Sequence, residues 1–314
     1  MDISVIICSY NPDIGILNNV LDVLSKQTLD RDRWELIIVD NNSPEKIEDS
    51  IDLSWHEQAR VVIEKKQGLA MARIRGVKEA ACESIVFIDD DNVAGLDYLE
   101  KSLLIFSTHS TIGVFGGKAI PHYLKHSPAD WFNNYTGLLG CRDLGEQEIV
   151  SNTDKNDVRE YPNFSPIGTG MCIRKEVFLT YLREIETDTF RKNLGRKGNN
   201  LTSGEDNDIV ITALKNGWQV GYFPQLHIDH IIPERRTRID YLAKMNFAQN
   251  KSWIQLLLFH GICPWERIPK WSVPFRKIKA YFIYQPWRSN EDLVKWKGVC
   301  GQYEGLIKCK VYEE

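Results

Sequence analysis

No apolar run in this 314-residue chain approaches the roughly 20 residues that a membrane-spanning helix needs, the nearest being the short stretch 254–261. The N-terminus begins directly on a strand-like run, with no charged segment leading into an apolar one, so no signal peptide is expected. The seven cysteines, Cys8, Cys82, Cys141, Cys172, Cys263, Cys300 and Cys309, contain no C-x-x-C pair, and three of them sit inside apolar segments. That usage excludes a disulfide framework or zinc site and predicts reduced thiols in a cytoplasmic protein. Repeats and low-complexity tracts are also missing. Net charge is small, −4, which argues against a general nucleic-acid binder.

The charge that is present is unevenly spread. Residues 235–314 hold 15 Lys and Arg against 7 Asp and Glu, or +8, which leaves −12 on residues 1–234. The basic quarter also carries Trp253, Trp265, Trp271, Trp287 and Trp296. At 43% hydrophobic and 26% charged, the chain is long enough for one large domain with appendages or for two smaller ones.

Short β-branched runs at 3–8, 35–39, 61–64 and 85–88 predict buried strands, because strands covered on both faces read as continuous apolar stretches. Helical spacing predicts helices over 14–27, 68–81 and 96–107 between and after them. That alternation is the pattern of an open, doubly wound α/β sheet, in which ligands bind outside the carboxyl ends of the strands. Asn11, Asp40, Glu64 and Asp89–Asp90–Asp91 all fall at such ends. Further on, a strand is expected over 171–174, a helix over 175–186, and two short strands over 219–223 and 226–232. Polar stretches at 145–160 and 190–204 read as loops, and the chain beyond Pro233 as helical and basic.

Three adjacent carboxylates repel one another, so they are stable either fully hydrated or sharing a divalent metal. Mg²⁺ and Mn²⁺ prefer such oxygens and take only one or two from protein, with phosphate and water completing the shell. The competing reading is an acidic turn after a core strand. Asp206, in Gly204-Glu205-Asp206, opens an expected helix, where an acid in the first turn is favoured by capping and the dipole.

The ordered set S-V-I-I-C-S-Y-N, V-D-N-N-S, D-D-D, G-T-G-M-C-I-R-K and G-E-D-N-D-I resembles the GT-A fold glycosyltransferases of family 2 over about residues 3–233. The resemblance implies an inverting enzyme moving a sugar from a nucleotide diphosphate donor to an acceptor hydroxyl, similar to bacterial enzymes of cell-surface polysaccharide or glycolipid synthesis. It divides the chain into a catalytic domain, 1–233, and a helical, basic, aromatic-rich extension, 234–314. Ser9, Tyr10 and Asn11 match the first nucleotide-facing loop, and Asp40 matches the acceptor for the base imide, usually of uracil. Arg73 matches the arginine of an Ala-Arg-Asn triplet whose third member is here Ile74. Asp89 and Asp90 match donor contacts, with Asp89 also near the metal's shell. Asp91 matches the direct ligand of Mn²⁺ or Mg²⁺, and His230 a third ligand or diphosphate contact. Gly168 and Gly170 border the donor sugar in this resemblance, Asp206 is the general base, and Glu205 holds sugar or acceptor hydroxyls. Arg235 and Arg236 are within reach of phosphates, or form a solvated turn.

For the extension, cations interleaved with aromatics at 276–284 suit an anionic membrane surface, which would place the enzyme at the inner face of the plasma membrane beside a lipid-linked acceptor. Packing on the catalytic domain or a homodimer partner explains the same residues. Two rival functions are a sugar-phosphate nucleotidyltransferase, disfavoured because Ser9-Tyr10-Asn11-Pro12 lacks a glycine-rich loop, and a binding protein of the same fold without chemistry.

Overall fold

The computed structural model describes residues 1–125, 127–152, 158–195 and 204–308. Parts of the loops expected at 145–160 and 190–204 lie outside those residues, as does Cys309. Nine strands form one sheet: β1 (Ile3–Ser9), β2 (Trp34–Asp40), β3 (Ala59–Ile63), β4 (Ser84–Asp89), β5 (Asn92–Ala94), β6 (Ile112–Tyr123), β7 (Ile149–Val150), β8 (Cys172–Arg174) and β9 (Gln219–Ile232). Their order is β3-β2-β1-β4-β8-β6-β9-β5, with β7 also paired to β9. The first half is parallel, and β8 enters antiparallel between β4 and β6. This is the mixed, parallel-dominated α/β sheet of the GT-A type.

Alternation along the strands assigns the two faces. Ile3, Val5 and Ile7 join one apolar cluster with α1 (Ile14–Leu24) and α3 (Tyr98–Thr108). Ile6, Ile37, Ile85 and Phe87 join another with α2 (Leu69–Glu79), α4 (Lys175–Ile185) and α5 (Glu205–Lys215). Each fully buried side chain of this size contributes about 1.5–3 kcal/mol relative to exposure. Covered on both faces, the sheet leaves only its strand ends for chemistry.

The stretch expected as two short strands is one, β9. Its 14 residues run through Pro224 because the ladder with β6 breaks there: Gly116 pairs with Tyr222, but Lys118 pairs with His227. Proline is tolerated in such a bulge, where no ladder hydrogen bond is required of it. Gly117 lies opposite, and a Cβ there would stand 2.0 Å from the Leu226 carbonyl oxygen. Beyond β9 come the short α6 (Glu234–Thr237), α7 (Ile239–His260), α8 (Val273–Tyr284) and α9 (Asn290–Gly305). Leu242 and Ala243 of α7 and Val294 of α9 pack with Ile232 and with Phe132 and Leu139 of a 3₁₀ stretch, Asp130–Leu139. Among the described residues no helix is long and apolar enough to cross a membrane.

Candidate active site

Strand geometry brings distant acids and bases to one cavity of about 890 Å³ at the carboxyl ends of β1 and β4. The acidic turn leaves β4 at Asp89 and returns at once as β5, which pairs antiparallel with β9 so that Asn92 faces His230. The Ile231 N–H donates to the Asp91 carbonyl at 2.8 Å. This pairing delivers His230, 139 positions later in the chain, to within 3.3 Å of the Asp91 carboxylate. Pro233 then ends the strand, and α6 turns Arg236 back to 3.0 Å from the other Asp91 oxygen. His227 instead pairs with Asp229 and lies away from the cavity, and Arg235 is exposed.

Asp90 accepts a short hydrogen bond from the Ser9 hydroxyl. Burial, then the neighbouring Asp91 charge, push its carboxyl up to about 7 despite that bond. For His230, burial acts to lower the pKa, but the Asp91 hydrogen bond and contact with Cys141 outweigh it and hold the imidazole up to about 10. A protonated His230 has no lone pair on Nε2 for a cation; it is a partner of Asp91 here, and metal ligation requires its neutral form. The described residues contain no ready group of three or more His, Cys, Asp or Glu arranged around one point. Adjacent carboxylates in a turn nonetheless fit Mg²⁺ or Mn²⁺, which draw most of their shell from phosphate and water.

The facing wall is built on α5. Glu205 and Asp206 open that helix, where its dipole favours negative charge. Asp206 accepts hydrogen bonds from the Gly168 N–H and the Asn207 N–H, both at 3.0 Å. A Cβ at Gly168 would come within 2.9 Å of Arg73 Nη2, so a side chain there would displace the guanidinium. Glu205 is buried, and neither of its carboxylate oxygens has a hydrogen-bond partner. Among the described residues its ion-pair partner is Arg73, 3.8 Å away, whose guanidinium also lies over the Phe87 ring. Ile74 beside it packs into the apolar cluster.

Ser9, Tyr10, Arg73, Asp89, Asp90, Asp91, Gly168, Glu205, Asp206 and His230 therefore line one cavity. Asn11, Asp40, Glu64 and Gly170 do not. Asn11 has φ 49° and its N–H donates to the Ser43 hydroxyl. Asp40 is buried and accepts from the Ser43 and Ile47 N–H groups at 2.8 and 3.3 Å, shaping the turn after β2. Glu64 accepts from the Lys66 N–H. Gly170 packs behind the wall, its carbonyl taking the Tyr98 hydroxyl at 2.6 Å.

The model of glycosyl transferase family 2 matches residues 4–182. The chain belongs to this family of glycosyltransferases. The glycosyltransferase is 24% identical over 260 residues to a Haloferax volcanii glucosyl-dolichyl phosphate glucuronosyltransferase, covering 80% of this chain and 76% of that one. It is 31% identical over 191 residues to TuaG of Bacillus subtilis, a protein assigned to teichuronic acid biosynthesis, covering 57% and 74%. The crystal structure of S. aureus TarS 1-349 aligns with 96% of this chain and 89% of its own at 14% identity, with a TM-score of 0.49.

Cavity residues that the sequence motifs did not mark are Arg142 and Tyr161, before β8, and Gln249, Asn250 and Trp253 on α7. Trp253 meets Tyr161 edge to face at 4.9 Å. The buried Glu205 gives the glycosyltransferase a distinct pH response. Burial, opposed by Arg73, raises its carboxyl to about 7 from 4.5. Between those values the folded protein binds a proton the unfolded chain has lost, so this group's contribution to stability falls as pH rises through the window. Glu205→Gln is expected to gain stability relative to wild type between pH 5 and pH 8 in denaturant titrations. An unchanged difference would mean that Glu205 is already ionised at pH 5.

Proposed function

We propose that this glycosyltransferase moves a sugar with inversion from a uridine diphosphate donor to the hydroxyl of a polysaccharide or lipid-linked acceptor. One observation carries the reading: the Asp89–Asp91 turn and Glu205–Asp206 come from opposite ends of the sequence to the same cavity. Residues 1–233 supply donor binding and chemistry, and 234–314 close the acceptor side through α7. Ser9 and Tyr10 border the nucleoside in the cavity, Asp40 accepts its imide N–H through a lone pair that the two backbone bonds leave, and Asn11 and Glu64 lie at the neighbouring strand ends. Arg73 and Gly168 border the donor sugar, with Gly170 packed behind them.

Asp206 takes the proton of the acceptor hydroxyl as that oxygen attacks the anomeric carbon opposite the leaving group. The bond from the anomeric carbon to the diphosphate oxygen breaks, and its electron pair leaves with the diphosphate. Glu205 accepts hydrogen bonds from substrate hydroxyls, which satisfies its two unpartnered oxygens. Asp91 and Asp89, with a neutral His230, would hold Mn²⁺ or Mg²⁺, which when bound neutralises charge on the diphosphate. Arg236 lies within reach of the same phosphates.

Calorimetric titration with UDP tests the donor site. Micromolar binding is expected in Mn²⁺, weakened in EDTA and by Asp91→Ala or Asp40→Asn. The asparagine is preferred at position 40 because the carboxylate also shapes its turn. Failure of UDP, GDP and dTDP alike to bind folded protein would favour a binding protein without this chemistry.

The relatives' names support both substrates: one gives a glucuronosyl group and a dolichyl phosphate-linked acceptor, the other teichuronic acid. A lipid-linked acceptor also suits α8 and the turn before it: α8 buries Val273 and Ala280 but leaves Phe275 67%, Phe282 65% and Ile283 63% exposed, and Trp271 in the preceding turn is 73% exposed. Lys270, Arg276, Lys279 and Arg288 are exposed around them. An apolar face rimmed by cations complements an anionic bilayer. The protein is expected to sediment with vesicles of phosphatidylcholine and phosphatidylglycerol, less so in high salt, and hardly at all with phosphatidylcholine alone. The pair Phe275→Ser, Phe282→Ser should abolish it. A salt-insensitive dimer in light scattering, without vesicle binding, would assign the face to a second copy.

A further inference from the structure

We infer that one of the two substrates is a carboxylated sugar and that Arg142 is the group that recognises its carboxylate. The inference rests on the glycosyl-transfer reading and names the substrate class of that site.

Among the described residues three arginines face the cavity, and two are already matched. Arg73 has Glu205 at 3.8 Å, and Arg236 has Asp91 at 3.0 Å. Arg142 has no carboxylate within ion-pair distance among the described residues, and the hydrogen bond of its guanidinium runs to the Ser165 carbonyl. The contrast carries into their acidity. Burial is the largest influence on all three, but acids restore Arg73 and Arg236 to above their ordinary value, whereas burial pulls Arg142 below, with Tyr161 and Asp206 too weak to compensate. A guanidinium stays protonated in proteins, so Arg142 is a partly desolvated cation facing an open cavity.

Its placement is rigid. The Arg142 N–H donates to the Ala119 carbonyl at 2.7 Å, and the Ala119 N–H returns a bond at 2.8 Å, so the side chain springs from a bridge to β6. Fixed donors in a fork accept a carboxylate through two parallel hydrogen bonds, which hydroxyls of a neutral hexose cannot match in charge. The diphosphate is the other anion to consider, but its proposed partners are Asp91, His230 and Arg236, and none of these is among the groups that act on Arg142. Arg142 is instead influenced by Asp206, the proposed base, where the transferred sugar and the acceptor meet. A carboxylated sugar there would be repelled by Asp206 and Glu205 unless a cation offset them.

The test uses two matched pairs in calorimetry with Mn²⁺: UDP-glucuronic acid against UDP-glucose, and, on UDP-saturated protein, methyl β-glucuronide against methyl β-glucoside. In wild type, one pair should differ by about tenfold or more in favour of the acid. The difference should vanish in Arg142→Gln and persist in part in Arg142→Lys, which keeps the charge without the fork. The pair that discriminates identifies the donor or the acceptor as the acidic sugar. If Arg142→Gln does not fold, the lysine variant carries the comparison, and an undiminished preference there overturns the bidentate role. Equal affinities within both pairs, in wild-type protein that binds UDP, overturn the inference and leave the donor reading standing. A preference that survives Arg142→Gln assigns the carboxylate to other residues. Absence of all nucleotide binding removes the reading and the inference together.

Discussion

Asp206→Asn is expected to lower turnover by roughly 10²–10⁴-fold, the usual contribution of a positioned general base, while UDP affinity stays at the wild-type value. The measurement is release of nucleoside diphosphate with whichever donor and acceptor pair turns over in wild type. The argument is geometric. Asp206 sits on the cavity wall opposite the acidic turn, and its two oxygens each accept one backbone N–H, from Gly168 and from Asn207. Those bonds orient the carboxylate and leave each oxygen a second lone pair for a hydroxyl proton. Asparagine keeps the size but has one acceptor oxygen, so it loses one of the two bonds and the capacity to take a proton. Glu205 is the rival base, since its raised pKa suits proton transfer near neutrality. Its carboxylate, however, faces the Arg73 guanidinium at 3.8 Å, which suits holding hydroxyls better than exchanging protons. Turnover of Asp206→Asn within tenfold of wild type, with a large loss in Glu205→Gln, would exchange the two roles.

Much of this arrangement is legible in the sequence where one physical cause leaves one local mark. Strands β1, β2 and β4 read as continuous apolar runs because helices cover both faces of the sheet, and the acids follow because those strands end at the cavity. The doubly wound first half and the acidic turn follow from that reasoning alone. Family resemblance then marks Asp206 and His230, which no periodicity would single out.

What the sequence conceals is pairing over distance. Pro224 looks like a strand end, and only the irregular ladder with β6 allows β9 to run past it. Strand β5 is three residues long and exists because β9 lies beside it. Gln249, Asn250 and Trp253 lie in a stretch that reads only as helical and basic, whereas the packing of α7 against the 130–139 stretch turns them toward the cavity. Asp40 carries a second role that no motif marks: its carboxylate also accepts two backbone N–H groups that shape the following turn.

The largest expected loss of stability follows from a pairing of the same concealed kind. Asp208 is wholly buried, two residues past the proposed base, and its oxygens take His260 Nε2 at 2.6 Å and Arg191 Nε at 2.8 Å. Arg191 continues to Glu184 at 3.0 Å and to the Thr212 hydroxyl at 2.5 Å, and lies over the rings of Tyr181 and Phe259. One carboxylate thus joins α4, the turn that brings Leu194 and Gly195 to the cavity, α5 and the end of α7. Asp208→Ala removes it and leaves a buried guanidinium without its closest anion, which costs about 3–5 kcal/mol when one partner of a buried pair is deleted. Denaturant titration of wild type and variant measures the loss. Because a buried pair is costly to desolvate in the first place, combining Asp208→Leu with Arg191→Met should recover much of what either change loses alone. If Asp208→Ala falls within about 1 kcal/mol of wild type, the range of a surface pair, Arg191 is held by Glu184 and the aromatic rings, and α7 is fastened to α5 by apolar packing and the Lys215–His260 contacts.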